Sequence, residues 1–425
     1  MTSAASLFTP PATGRTPDPS LAHRRATATV TLLGGSGEPL RDRDVVVRQQ
    51  QHAFGFGCIG FGLVDHANGA STDPAFDEVF ADRWLELFNA TTLPFYWGRF
   101  EAERGRPDTE RLLTAAKWFA ERGITVKGHP LVWHTVCAPW LLEMDNAEIE
   151  RAQRERIRRD VGEFAGVIDT WDAINEAVIM PVFTAEDNGV TRIAHEMGRI
   201  ATVRMAFEEA RAANPGATLL LNDFDMSTAY ECLIEGVLEA GVRIDRLGLQ
   251  SHMHKGYWGE ERTLEVLDRF ARYNIPIHFT ETTLLSGDLM PAHIGDLNDW
   301  QVDEWPSTDE GEARQADEVE RHYRTLLSHP SVESVNYWGF SDRGMWLNAP
   351  GGLLRADGSP KPAYDRLHGL VKGEWWLEPT TLRTDADGRV AFEGFLGDYE
   401  LAPAGLPATS VRLTVPGAAH LEVQL

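Results

Sequence analysis

Two glutamates that follow short apolar runs are the residues of this sequence whose type and position could do chemistry. Glu176 ends the stretch 170–176, Thr-Trp-Asp-Ala-Ile-Asn-Glu, and Glu281 ends the stretch 276–281, Pro-Ile-His-Phe-Thr-Glu. Both stretches are typical of buried strands, and the strands of a parallel barrel end at one mouth. Two carboxylates that face each other at about 5–5.5 Å are what retaining hydrolysis of a glycosidic bond requires. The alternative is a pair of ordinary strand-end acids in ion pairs.

The segment 56–370 alternates short strand patterns with amphipathic helix patterns, as needed to bring such strand ends together. Strands are predicted at 88–91, 124–129, 167–174, 218–223, 246–252, 276–281 and 332–338. Helices are predicted between them at 108–122, 147–164, 192–214, 228–240, 263–273 and 313–328. Short strands separated by helices over roughly 300 residues predict an α/β fold, a (β/α)8 TIM barrel.

The two ends of the chain have a different pattern. Residues 1–24 contain Pro, Ser and Thr without an apolar run and are predicted to be a disordered lead-in. Residues 25–55 alternate apolar and polar positions around a Gly-rich turn and are predicted to form a β-hairpin, and residues 371–425 contain further short strands. Neither end has enough apolar sequence for its own core, so we expect them to form one small accessory β-sandwich.

Composition excludes several classes of partner. The chain has 425 residues, and its formal net charge of −24 disfavours nucleic acid and anionic membrane surfaces but does not repel a neutral carbohydrate or glycoside. The sequence contains no run of 18 apolar residues, so no membrane span is predicted. The three cysteines (Cys58, Cys137, Cys232) suggest no disulfide framework. The N-terminus lacks the apolar core of a secretory signal, so we expect a cytoplasmic protein, or a secreted one if a leader was removed. The oligomeric state stays open.

Further motifs accompany the two glutamates. Gly-His-Pro-Leu-Val-Trp-His spans 128–134, Asn-Asp occupies 222–223 and Gln-Ser-His occupies 250–252. Trp-Gly at 338–339, Trp346 and Pro-Lys-Pro-Ala-Tyr at 360–364 follow later in the chain. In this combination, the sequence from about Phe88 to Leu367 resembles the family 10 glycoside hydrolases, which are retaining endo-β-1,4-xylanases.

The resemblance implies roles for the matched residues. Glu176 would be the general acid and then the base, and Glu281 the nucleophile that forms a glycosyl-enzyme. The residues expected to bind substrate are His129, Trp133, Asn175, Gln250, His252, Trp338 and Trp346. A lone strand histidine is more often structural, and Trp133 could equally be a core aromatic. No cofactor or metal is expected, because His129, Asp172, Glu176 and His252 lack the short ligand spacing of a metal site.

The sequence departs from the family pattern at two places. An ungapped alignment puts Pro94, Phe95 and Gly98 where the family has Glu, Asn and Lys. In the family, these polar residues bind the sugar on the non-reducing side of the cleavage point. We therefore expect that side to be more apolar, with Phe95, Tyr96 or Trp97 at its wall. The family's Thr-Glu-Leu-Asp is Thr-Glu-Thr-Thr at 280–283, so the acidic residue is replaced.

Three hypotheses about function follow. The first is endo-cleavage of β-1,4-xylan, and the second is release of a sugar or disaccharide from a small or aromatic glycoside. The third is a non-catalytic carbohydrate-binding barrel. Retention of both Glu176 and Glu281 disfavours the third hypothesis, because a binding protein has no need of the pair.

Overall fold

A computed structural model of the protein describes residues 18–425. Its strands are β1 (Arg25–Leu33), β2 (Asp44–His52), β3 (Gly55–Ile59), β4 (Ala90–Pro94), β5 (Thr125–His129), β6 (Thr170–Asn175), β7 (Thr218–Asp223), β8 (Arg246–His252), β9 (Ile277–Thr283), β10 (Val332–Tyr337), β11 (Thr380–Arg383), β12 (Arg389–Phe395), β13 (Gly397–Pro403), β14 (Thr409–Leu413) and β15 (Gly417–Gln424). Its α-helices are α1 (Val64–Ala67), α2 (Pro74–Leu87), α3 (Trp97–Phe100), α4 (Thr109–Ala120), α5 (Asn146–Glu163), α6 (Gly189–Met197), α7 (Arg199–Ala213), α8 (Thr228–Glu239), α9 (Gly259–Ala271), α10 (Asp309–Ser328) and α11 (Pro362–Gly369).

The strands β3–β10 close into a barrel in the order β10-β3-β4-β5-β6-β7-β8-β9. The pairs from β3 to β10 along this order are parallel, so the carboxyl ends of these strands meet at one mouth. The predicted (β/α)8 TIM barrel is therefore confirmed. Strands β7 and β8 have the predicted bounds, because each is a short apolar run between turn signals.

The predicted helix 192–214 is two helices. Gly198 adopts a φ of +79° and a ψ of 159° between α6 and α7, a non-helical conformation that ends the first helix and that glycine adopts without a side-chain clash. The first of these helices is capped at its N-terminus by Asn188, whose side chain accepts a hydrogen bond from the amide of Thr191. The amphipathic pattern continues across the break and does not reveal it.

The two chain ends form two sheets that share one core. One sheet has the order β12-β1-β15 and the other the order β11-β2-β13-β14. Buried side chains from both sheets, including Val30, Val47, Phe392, Leu401 and Leu413, belong to a single hydrophobic cluster. The small accessory β-sandwich is therefore confirmed. The strand β15 runs parallel to β1, whereas the other pairs are antiparallel.

Two predictions for the N-terminal part need correction. The segment 25–55 is not a hairpin, because β1 and β2 lie in opposite sheets. The two strands bury their apolar sides in the shared core, one from each sheet. Of the predicted lead-in, residues 1–17 lie outside the described residues, but Pro19–Arg24 form a 3-10 helix that buries Leu21.

The chain divides into two compact units. One comprises the described residues through Gly55 together with Leu327–Pro330 and Asp365–Leu425, and the other comprises Phe56–Leu326 and Ser331–Tyr364. The predicted division at 55/56 and 370/371 is close to these bounds but is not identical to them. No helix within residues 18–425 is long and apolar enough to cross a membrane.

A glycine in β5 should be essential to the packing of the barrel. A Cβ atom at Gly128 would lie 2.1 Å from the ring of Trp171, which is fully buried and packs against Phe95. Gly128→Ala should therefore lower the free energy of unfolding by about 1–3 kcal/mol, measured by urea denaturation. The matched control is Gly162→Ala in α5, where a Cβ meets nothing within 4 Å. That variant should gain about 1 kcal/mol or less, and equal losses in both would contradict this account.

Candidate active site

The candidate site is built from residues at the carboxyl ends of the barrel strands. His129 ends β5, Asn175 ends β6 with Glu176 directly after it, and His252 ends β8. Glu281 lies two residues before the end of β9, opposite Gln250. The backbone of Glu176 has a φ of +59°, an unfavourable conformation for a glutamate that the surrounding contacts must stabilise.

Glu176 lies in a pocket that keeps it protonated near neutral pH. One carboxyl oxygen, Oε2, accepts a hydrogen bond from Trp133 Nε1 at 2.8 Å, and Oε1 accepts from Asn175 Nδ2 at 3.0 Å and from Gln250 Nε2 at 3.3 Å. Burial raises the pKa of Glu176 to about 8. The hydrogen bond from Trp133 opposes this rise, whereas the negative charges of Glu281 and Asp223 add to it.

The surroundings of Glu281 keep its carboxyl group ionised. Its Oε1 accepts a hydrogen bond from Asn222 Nδ2 at 2.9 Å, and its Oε2 lies 3.1 Å from His252 Nε2. Burial alone would raise the pKa of Glu281, but the hydrogen bond donated by His252 and the nearby imidazole of His129 lower it below its ordinary value. Glu281 is therefore ionised at neutral pH, although its side chain is almost fully buried.

Two asparagines join the surroundings of the two glutamates into one hydrogen-bond network. Asn222 Nδ2 donates both to Glu281 and, at 2.7 Å, to Asn175 Oδ1. Asn222 Oδ1 accepts a hydrogen bond from Thr280 Oγ1 at 2.5 Å, which fixes the orientation of its amide. Since Asn175 in turn donates to Glu176, a short chain of side chains links one carboxyl group to the other.

Aromatic rings surround the pair. The ring of Trp338 lies 5.1 Å from that of His129, and the ring of Trp346 lies 5.1 Å from that of His252. Tyr96 completes the wall, 5.7 Å from the ring of His129 and 5.5 Å from that of Trp133. The structure thus brings the seven predicted binding residues together around Glu176 and Glu281.

Buried polar residues fix the segment that carries Trp133. In α5, Arg156 donates to the carbonyl oxygens of Leu131 at 2.7 Å and Pro130 at 3.2 Å, and Gln153 donates to Leu131 at 3.1 Å. These long side chains satisfy carbonyl groups that would otherwise be buried without a partner. The segment after β5 is therefore held in one conformation. This fixes the indole of Trp133, which donates a hydrogen bond to Glu176.

The segment after β10 that carries Trp346 is held in a similar way. The ammonium group of Lys361 is fully buried and lies 2.7 Å from Asp342 Oδ2 and 2.8 Å from Ser286 Oγ. Ser286 also donates to the carbonyl oxygen of Pro350 at 2.8 Å. These contacts tie both ends of the Trp346 segment to the segment that follows β9.

His129 is fixed by an acid behind it. Its Nδ1 lies 2.7 Å from Asp172 Oδ2, which also accepts a hydrogen bond from Lys127 at 2.6 Å. Burial alone would raise the pKa of Asp172, but the charge of Lys127 and the contact with His129 lower it. Asp172 therefore fixes the position of the His129 ring. Among residues 18–425, no group of three or more His, Cys, Asp or Glu side chains is arranged to hold a metal ion.

The sequence named Phe95, Tyr96 or Trp97 for the apolar wall, and the structure places one of the three at the site. Phe95 is fully buried among Phe164, Trp171 and Phe100, and it does not contact the rings of the site. Trp97 is also buried, and its indole donates to Glu101. Of the three aromatic residues, Tyr96 is the one at the site. The sequence could not choose among the three residues, because an aromatic side chain at a strand end has the same sequence signature whether it faces the site or the core.

Three polar residues near the carboxylates were not among the predicted site residues. Asn222 links the two glutamates, Asp223 adds charge beside Glu176, and His134 Nε2 lies 3.8 Å from Glu176 Oε2. Burial raises the pKa of Asp223 to about 7 and lowers that of His134 to about 4. The position of Asn222 and Asp223 at the end of the leucine-rich β7 was the signal that could have identified them.

A barrel with a protonated and an ionised carboxyl group at the mouth is the arrangement of a glycoside hydrolase. The glycosyl hydrolase family 10 model matches residues 89–369. The chain therefore belongs to glycosyl hydrolase family 10.

The chain is also similar to individual proteins. The chain is 27% identical over 288 residues to endo-1,4-beta-xylanase 3 of Hypocrea jecorina, covering 65% of this chain and 73% of the relative. It is 25% identical to an anti-sigma-I factor of Acetivibrio thermocellus, covering 93% of this chain but only 45% of that relative's length. The crystal structure of xylanase 10B from Thermotoga petrophila with xylobiose has the same fold, with a TM-score of 0.62, 21% identity and coverage of 76% of this chain and 95% of that one.

Removal of one neighbouring charge should move the titration of Glu176. Because the charge of Asp223 helps to raise the pKa of Glu176, Asp223→Asn should lower that pKa. Carbon-13 NMR of labelled glutamate carboxyl groups measures this directly, with Glu176→Gln to assign the signal. The control is Asp169→Asn, at the opposite end of β6, which should leave the titration unchanged. A pKa that stays the same or rises in Asp223→Asn would contradict the assignment.

Proposed function

We propose that the protein is a retaining β-glycosidase that hydrolyses β-linked xylosyl-type bonds by double displacement. Glu176 is the general acid and base, and Glu281 is the nucleophile. Family membership supports the reaction class, and the opposite shifts of the two pKa values support the division of roles. The contrast between the pKa of about 8 at Glu176 and the lowered pKa at Glu281 is the single observation that carries the proposal.

In the first step, the ionised Glu281 attacks the anomeric carbon of the sugar. The bond from that carbon to the leaving oxygen breaks, and Glu176 gives its proton to this oxygen. Asn175 uses one Nδ2 hydrogen on Glu176, which leaves the second to donate to the sugar 2-hydroxyl. The product of this step is a glycosyl ester on Glu281 with Glu176 ionised.

In the second step, a water molecule takes the place of the leaving group. Glu176 now accepts a proton from the water as its oxygen attacks the anomeric carbon. The ester bond to Glu281 breaks, and the carboxylate returns to its hydrogen bonds with Asn222 and His252. Two inversions give net retention of configuration.

Azide rescue should separate the roles of the two glutamates. Glu281→Ala should lose nearly all activity, and azide should restore turnover of an aryl β-glycoside with an α-configured glycosyl azide as product. Glu176→Ala should keep the first step for good leaving groups, which need no proton, and azide should then give the β-configured product. Proton NMR of the isolated azides reads the configuration.

The control for this experiment is Glu110→Ala, which removes an exposed glutamate in the first turn of α4. This variant should keep wild-type activity and form no glycosyl azide. Opposite anomers from the two active-site variants would mean that the roles are reversed. Wild-type activity in both variants would mean that the reaction takes place elsewhere.

A second candidate is release of a sugar or disaccharide from a small or aromatic glycoside. The segment 94–98 supports this candidate, because the polar residues with which the family binds the sugar are replaced there. Phe95 faces the core, and a Cβ atom at Gly98 would lie 2.5 Å from the carbonyl oxygen of Cys137, so no longer side chain fits there. A xylan chain would therefore lack these hydrogen bonds on its non-reducing side. A substrate that places no second sugar on this side does not depend on them.

The preference between these substrates can be measured directly. With the same aryl leaving group, the β-xyloside and the β-xylobioside should have kcat/KM values within about tenfold of each other, because the second xylose gains no hydrogen bond from residues 94–98 on the non-reducing side. Polymeric xylan should be a poor substrate, with products read by mass spectrometry. Rapid xylan hydrolysis to random fragments would favour endo-xylanase activity and contradict the preference for small glycosides.

A further inference from the structure

His252 connects the carboxylate of Glu281 to a hydroxyl group. Its Nε2 lies 3.1 Å from Glu281 Oε2, and its Nδ1 lies 3.1 Å from Thr283 Oγ1. His252 and Thr283 are direct partners across β8 and β9, so the strand pairing itself brings the two side chains together. Thr283 is fully buried, and it stands where the family pattern has an acidic residue.

The hydrogen-bond chemistry of the three groups restricts where the hydrogens of the His252 ring can lie. An ionised carboxylate only accepts hydrogen bonds, so Nε2 of His252 must carry the hydrogen that points at Glu281. A neutral ring then has its lone pair on Nδ1, and the hydroxyl of Thr283 can donate to it. A carboxylate in the place of Thr283 could only accept, so it would require a hydrogen on Nδ1 and thus a charged imidazolium.

Building on the proposed function, we propose that Thr283 is a positioning residue that holds His252 as the neutral Nε2–H tautomer. The nucleophile is then oriented by an uncharged donor. The groups that pack against the His252 ring are Glu281, Thr283, His254 and the indoles of Trp338 and Trp346.

The neighbours of His252 agree with an uncharged ring. Burial lowers the pKa of His254 to about 3, so this second imidazole is neutral at pH 7 and supplies no charge. An imidazolium at His252 would have Glu281 as its only ionised contact among the groups just named. In the glycosyl-enzyme, Glu281 is a neutral ester, and that counter-charge disappears. A neutral Nε2–H donor keeps its hydrogen bond to the ester oxygen without any proton movement on the ring.

The tautomer can be observed without substrate. Long-range proton–nitrogen correlation NMR of 15N-histidine-labelled protein distinguishes protonated from unprotonated ring nitrogens, and His252→Gln assigns the signals. At pH 7 the wild type should show a protonated Nε2 and an unprotonated Nδ1. Thr283→Asp should show both nitrogens protonated, because the new carboxylate accepts from Nδ1.

Kinetics of matched variants test the positioning role. Thr283→Val keeps the shape but removes the hydroxyl, and should lower kcat/KM for an aryl β-glycoside by about tenfold or more, because the buried Nδ1 loses its partner. Thr283→Ser keeps the hydroxyl and should retain both the NMR pattern and most of the activity. If the valine variant does not fold, the wild-type, serine and aspartate spectra still decide the question.

Two results would overturn the inference. One is a wild-type His252 with both nitrogens protonated at pH 7, and the other is a Thr283→Val variant with an unchanged tautomer and unchanged kcat/KM. A wild type that shows the expected tautomer but hydrolyses no glycoside would contradict the proposed function and not the tautomer. The two failures are therefore distinguishable.

Discussion

Two carboxyl groups buried in one pocket cannot both be ionised without repelling each other in a medium that screens charge poorly. Burial pushes the pKa of both Glu176 and Glu281 upward, so the difference between them comes from their partners. Both carboxyl groups accept hydrogen bonds, but at Glu176 the added charges of Glu281 and Asp223 raise the pKa, whereas at Glu281 the hydrogen bond from His252 and the imidazole of His129 lower it. The proton is therefore held on Glu176, where a departing oxygen would need it.

The rest of the barrel mouth preserves this asymmetry. The amides of Asn175 and Asn222 form a continuous link between the two carboxyl groups, so neither can turn without breaking a buried hydrogen bond. The unfavourable φ of Glu176 directs its side chain towards this network. Arg156 and Lys361 act one step further out, where each fixes a segment that carries a tryptophan of the site. The geometry of the pocket thus depends on buried polar groups as well as on apolar packing.

The sequence predicts the barrel and the residues at its mouth because both have local signatures. A short apolar run that ends in Asn-Glu or Gln-Ser-His is visible without any tertiary information. Contacts between strands are not visible in this way, so the bridging role of Asn222 and the packing of Phe95 away from the site were missed. Likewise, the break at Gly198 and the placement of β1 and β2 in opposite sheets depend on backbone conformation and on what covers each face.

The central claim is that hydrolysis proceeds through two displacements at the anomeric carbon. Proton NMR of the first sugar released from an aryl β-xyloside measures this before mutarotation equilibrates the product. The account predicts that the β-anomer appears first and the α-anomer follows slowly. Initial release of the α-anomer would mean a single displacement by water and would contradict the assignment of Glu281 as the nucleophile.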